Sequence, residues 1–93
     1  MKLLKFYAEW CAPCKNMTRL MESMGDKITV PVENIDVDED YNQEIVNNYR
    51  VRTLPTFVLL NDEGHEIKRN VGSMTESKLI SFITEEASKA VEG

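Results

Sequence analysis

No stretch of this chain approaches the ~20 consecutive apolar residues that a membrane-spanning helix needs, so no membrane partner is expected. Clusters of lysine and arginine are missing as well, and the formal net charge is −5. That balance argues against a sequence-independent grip on phosphates, and nucleic acid is not an expected partner. Histidine occurs once and cysteine twice, with no second cysteine pair. A zinc site wants about four ligands, so these two cysteines could hold metal only at a site shared between chains. Repeats, low-complexity tracts and linkers are also absent, and residues 1–93 read as one small domain. The opening MKLLKFYAEW is broken by Lys5 and ends its apolar character at Glu9. It falls short of the roughly 7–15 apolar residues of a secretory leader, and a cytoplasmic protein is expected. Disulfides rarely persist there as staples, so the cysteines point to catalysis or metal rather than to a structural bridge.

What is present is enough to fold. Hydrophobic residues make up 42% of the chain, which supports a core, and charged residues 29%, which suits a solvated surface. Lys2–Tyr7 is a nearly continuous apolar run, the pattern of a strand buried on both faces. Met17, Leu20, Met21 and Met24 follow at helical spacing, with Gly25 as a stop. The three methionines read as core filler rather than a ligand-binding stripe. Ile28–Ile35 reads as a second strand, and Tyr41, Ile45, Val46 and Tyr49 as the stripe of a second helix entered through Asp36–Asp40. Thr56–Leu60 and His65–Val71 predict two further strands joined by the turn Asn61–Gly64. Leu79, Ile80, Ile83, Ala87 and Ala90 stripe a last helix, capped by Ser73 or Thr75. The order β-α-β-α-β-β-α implies an α/β fold, with one four-stranded mixed sheet flanked by three helices.

Both cysteines lie in EWCAPCK, between the first strand and the first helix. Cys11 falls at the helix N-terminus and Cys14 in its first turn. Residues three apart on a helix share a face with Cβ atoms roughly 5–6 Å apart, near enough to close a disulfide. Pro13 suits a first turn, where its missing N–H is no loss. The unpaired N–H groups and partial positive charge of a helix start favour thiolate over thiol. Cys11, nearer the tip, is therefore the expected nucleophile, and Cys14 the resolving thiol. A CxxC pair beside a βαβ pattern reads as a redox pair.

The stretch FYAEWCAPCK closely resembles the F-W-A-E-W-C-G-P-C-K of the thioredoxin family. Asn34–Asp36, Tyr49–Leu60 (YRVRTLPTFVLL) and Val71–Gly72 are similar to family segments in the same order. The resemblance implies a thioredoxin-like fold and a protein-disulfide reductase that works by dithiol–disulfide exchange. Its electrons would come from a thioredoxin reductase or from glutathione. It implies a monomer without cofactor, acting on disulfide-containing proteins. A cis Leu54–Pro55 bond is implied beside the dithiol, with Trp10, Ala12, Pro13, Leu54, Pro55, Gly72 and Ser73 lining a substrate groove. Two alternatives stay open: a glutaredoxin-like, glutathione-coupled reductant, or a binding subunit whose dithiol is dispensable.

Three departures from the family pattern stand out. Only ten residues precede Cys11, so the family's usual first strand and helix have no counterpart and the Ile28–Ile35 strand is expected at a sheet edge, where Pro31 would be tolerated. Lys5 stands where thioredoxins typically bury an aspartate; its tip either snorkels to solvent or sits near the dithiol and favours thiolate. Ala12-Pro13 replaces Gly-Pro between the cysteines. Lys15, next to the dithiol, reads as a surface lysine or a second modulator of the thiolate. Asp36–Asp40 imitates the start of a calcium loop, but Tyr41 and Asn47 stand where glycine and glutamate are required. His65 follows a hairpin turn with no partner nearby, and no metal is expected.

Overall fold

The computed structural model describes the backbone of residues 1–92 and the side chains of residues 1–84. Its elements run β1 (Lys2–Tyr7), α1 (Ala12–Met24), β2 (Val32–Asp36), α2 (Gln43–Asn48), β3 (Thr56–Leu60), β4 (Glu66–Val71) and α3 (Glu76–Glu92). Short 3₁₀ turns at Gly25–Lys27 and Asp40–Asn42 close α1 and open α2. The four strands form one mixed sheet in the order β2-β1-β3-β4. β1 is parallel to β2 and antiparallel to β3, which is antiparallel to β4.

Strand alternation sorts the core into two layers. Leu3 of β1 and Phe57 and Leu59 of β3 pack under α1 and α3, against Met17, Met21, Met24, Leu79, Phe82 and Ile83. Leu4, Phe6, Ile35, Val58 and Leu60 pack on the other face, with Ile45, Val46 and Tyr49 laid against them. Burying each such large apolar side chain contributes roughly 1.5–3 kcal/mol, and Phe6 and Phe57 have no exposed surface at all. The methionine stripe of α1 is core, as its spacing predicts. β2 lies at a sheet edge, also as expected.

Two expectations need correction. The second strand begins at Val32 rather than Ile28, one residue after Pro31. Proline has no N–H for a ladder, yet its carbonyl accepts from the Leu3 N–H at 2.9 Å, so pairing starts from that residue. Ile28 and Val30, ahead of it, are half-buried against the core under α1 and α3. The second helix is shorter than its stripe, and Tyr41 is exposed instead of buried. Tyr41 sits in the 3₁₀ turn, whose three residues per turn carry it off the face that Ile45 and Tyr49 share. Of the two candidate caps for α3, Thr75 is the one used: its Oγ1 accepts from the Lys78 N–H at 3.2 Å. Ala87 and Ala90 lie outside the described side chains.

Candidate active site

β1 ends at Tyr7, and Ala8–Trp10 turn the chain into α1. The Cys11 N–H donates to the Ala8 carbonyl at 3.2 Å, which folds this turn back on the strand end. Cys11 is the N-cap of α1, its Sγ accepting from the Cys14 N–H at 3.2 Å, and proline occupies the first turn. The first turn has no acidic residue to offset the positive end of the helix dipole. Cys11 and Cys14 are joined in a disulfide with their Cα atoms 5.2 Å apart. Cys11 is 5% exposed and Cys14 only 1%. Ala8 forms one small buried cluster with the two cysteines, with Tyr7, Val37 and Leu54 packed against it.

Cys11 faces a cavity of about 480 Å³ whose walls include Trp10, Ala12, Pro13, Val37, Leu54 and Arg52. Leu54–Pro55 is a cis peptide bond. Pro55 is buried, and its carbonyl accepts from the Gly72 N–H at 2.8 Å, so the β4 end is tied to the same place. Of the groove residues implied by the family resemblance, Trp10, Ala12, Pro13 and Leu54 line this cavity, while Pro55, Gly72 and Ser73 do not. Trp10 is 70% exposed and is held from the side, its Nε1–H donating to Asp38 Oδ2 at 2.7 Å. The acidic run therefore supplies an anchor for the indole as well as turn geometry: Asp36 Oδ1 accepts from the Asp38 N–H at 3.0 Å. Val37, Val51 and Arg52 escaped sequence reading. Nothing local marks them as cavity walls, because the connection after β2 brings Val37 there and the connection between α2 and β3 brings Val51 and Arg52.

On the other side of the dithiol, Lys5 is 3% exposed. Its tip does not reach open solvent: Nζ donates to Thr18 Oγ1, and the ammonium lies 5.6 Å from the centre of the Tyr7 ring. Desolvation pushes the Lys5 pKa down from its ordinary value, and the Glu22 carboxylate pulls partly against this. Burial, and then the nearby Asp36 carboxylate, pushes the Tyr7 phenol up, so it stays neutral through the physiological range. A second cavity, of about 470 Å³, is lined by Lys5, Tyr7, Cys14, Lys15, Thr18 and Asn34 among others. Lys15 is exposed at its rim. His65 is exposed at the hairpin, away from both cavities.

The thioredoxin family model matches residues 1–85. The chain belongs to the thioredoxin family. A thioredoxin of Chlamydia trachomatis is 35% identical over 82 residues, covering 88% of this chain and 78% of its own. The chloroplastic thioredoxin Y1 of Arabidopsis thaliana is 31% identical over 81 residues, covering 87% of this chain, which spans 46% of that longer protein. Among solved structures, a mutant thioredoxin from Halobacterium salinarum superposes with a TM-score of 0.81 at 36% identity, covering 91% of this chain and 73% of that one. The fold is thioredoxin-like. With its cysteine pair at disulfide distance at the start of α1, this thioredoxin is a thiol–disulfide oxidoreductase acting on protein disulfides. Among the described residues no helix is long and apolar enough to cross a membrane.

Proposed function

We propose that the protein reduces the disulfides of other cytoplasmic proteins, with Cys11 as nucleophile and Cys14 as resolving thiol. The observation that carries this reading is the placement of Cys11 Sγ at the N-cap of α1, facing the apolar cavity, with Cys14 more deeply buried behind it. The Cys11 thiolate attacks one sulfur of the substrate disulfide, and the other substrate sulfur leaves with the electron pair of the broken bond. Cys14 then attacks Cys11, the Cys11–Cys14 bond forms, and the second substrate sulfur leaves as thiolate. Two electrons have passed to the substrate. Trp10, Ala12, Pro13 and Leu54 flank the attacked sulfur and offer an extended substrate segment an apolar wall, with Pro55, Gly72 and Ser73 as the remaining residues of the substrate groove. A flavin- and nicotinamide-dependent thioredoxin reductase restores the dithiol. WCAPC favours that source over glutathione, because glutaredoxins usually carry an aromatic residue after the proline. The protein acts as a monomer.

The test is reduction of an exposed interchain protein disulfide with dithiothreitol as electron source. Cys11→Ser is expected to abolish turnover. Cys14→Ser, reduced beforehand and freed of dithiothreitol, is expected to stall as a mixed disulfide through Cys11. Full biological output from a chain with both cysteines replaced by serine would instead identify a scaffold whose chemistry is dispensable.

A further inference from the structure

Among the described residues, Lys5 is the one charged side chain that folding buries. Its sheet neighbours Leu3, Leu4 and Phe6 are apolar, so an aliphatic residue would sit in this position without the several kcal/mol that desolvating an ammonium costs. The compensation is modest: one neutral hydroxyl, one aromatic ring and the field of Glu22, with no carboxylate in contact. A cation kept at such a cost has a use where a negative charge comes and goes. Cys14 is the candidate, because its sulfur is neutral as thiol and as disulfide but negative in between.

Two observations connect them. Thr18 accepts from Lys5 Nζ and itself donates to the Cys14 carbonyl at 3.1 Å, giving a two-bond path from the ammonium to the cysteine's own backbone. Lys5 and Cys14 also line one cavity, so the space between them is not filled by core side chains. We propose that Lys5, held in place by Thr18, is a positioning residue for the resolving step, stabilising the Cys14 thiolate as it forms. The inference rests on the assignment of Cys14 as resolving thiol.

In the mixed disulfide, Cys14 loses its proton to solvent through the cavity. Its sulfur bonds Cys11 as the bond from Cys11 to the substrate breaks, and the substrate sulfur carries off that electron pair. Lys5 keeps its proton throughout. The other charged or titratable groups facing this space are Tyr7 from β1, Glu9 from the turn after it, and Lys15, Arg19 and Glu22 from α1; β2 contributes the uncharged Asn34. Tyr7 stays neutral, and Glu22 favours the charged form of Lys5.

The experiment uses two backgrounds. With Cys11→Ser, Cys14 is the sole thiol, and its titration is followed by thiolate ultraviolet absorbance. Lys5→Met is expected to raise the Cys14 pKa by about one unit, a tenfold smaller thiolate fraction near neutral pH, while Lys5→Arg keeps it near the parent value. With both cysteines present, release of a preformed mixed disulfide is expected to slow about tenfold in Lys5→Met at neutral pH and to converge with the parent at alkaline pH, where Cys14 is ionised anyway. Lys5→Gln, which can still donate to Thr18, replaces Lys5→Met if the latter does not fold. An unchanged Cys14 titration overturns the proposal, as does a release deficit that persists undiminished at high pH, which marks a purely structural role. Mixed disulfides trapped through Cys14 rather than Cys11 would overturn the underlying role assignment instead.

Discussion

Cys11 Sγ accepts a hydrogen bond from the backbone N–H of Cys14 at 3.2 Å, so the sulfur itself caps α1. In the reduced protein the same N–H and the helix dipole favour a thiolate at Cys11. The Cys11 pKa is expected below the unperturbed ~8.5, and Cys11 is expected to alkylate faster than Cys14 at neutral pH. Iodoacetamide labelling of the reduced protein with peptide mapping measures both rates. Faster modification of Cys14 would reverse the two roles.

Removing the buried charge has a separate consequence for stability. The folded-state pKa of Lys5 lies below its ordinary value of 10.5, so between the two values the unfolded chain binds more protons than the native protein. Stability from this group is therefore lowest where Lys5 is charged in both states, and it rises as pH climbs through the folded pKa toward 10.5. Lys5→Met is expected to be stabilised at neutral pH, by an amount of order 1–4 kcal/mol, with the gain shrinking toward alkaline pH. Denaturant titrations of both proteins at several pH values check this. A gain independent of pH would assign the effect to packing rather than to charge.

β2 is paired on one side only, with β1. Its outward-facing backbone amides are expected to exchange with solvent faster than those of β1 and β3, which have strands on both sides. Native-state hydrogen exchange read by residue distinguishes the three. Equal protection would mean that another chain pairs along this edge.

Gly72 adopts φ +99°, and its N–H is used by the Pro55 carbonyl at 2.8 Å. A Cβ at this position would meet nothing within 4 Å, so the penalty of a side chain is purely conformational. Gly72→Ala is expected to destabilise by about 1–3 kcal/mol in chemical denaturation. No change in midpoint would show that the β4 end can relax its backbone freely.

Much of this protein was legible locally. β1 and β3 appear with the bounds their apolar runs predict, and the methionines of α1 lie in the core at the spacing that a 3.6-residue period demands. Cys11 and Cys14 fall on the first turn of a helix because Pro13 and the helix period act over only four residues. The edge position of β2 is not of this kind, since Pro31, which suits an edge, lies one residue ahead of the strand.

Other features depend on which distant segments meet. Tyr41 shares its spacing with Ile45 and Tyr49, yet a 3₁₀ turn dictated by the approach to α2 rotates it into solvent. Arg52 and Val37 become cavity walls only because two separate connections converge over Cys11. Lys5 shows the division most clearly. The sequence alone established that an ammonium sits in an apolar strand, and left its tip either in water or beside the dithiol. Packing of α1 across β1 decided the matter, because it places Thr18, thirteen residues away, within hydrogen-bond reach of Nζ and turns that bond toward Cys14. Periodicity records which face a side chain takes; only the crossing of two elements determines what it meets there.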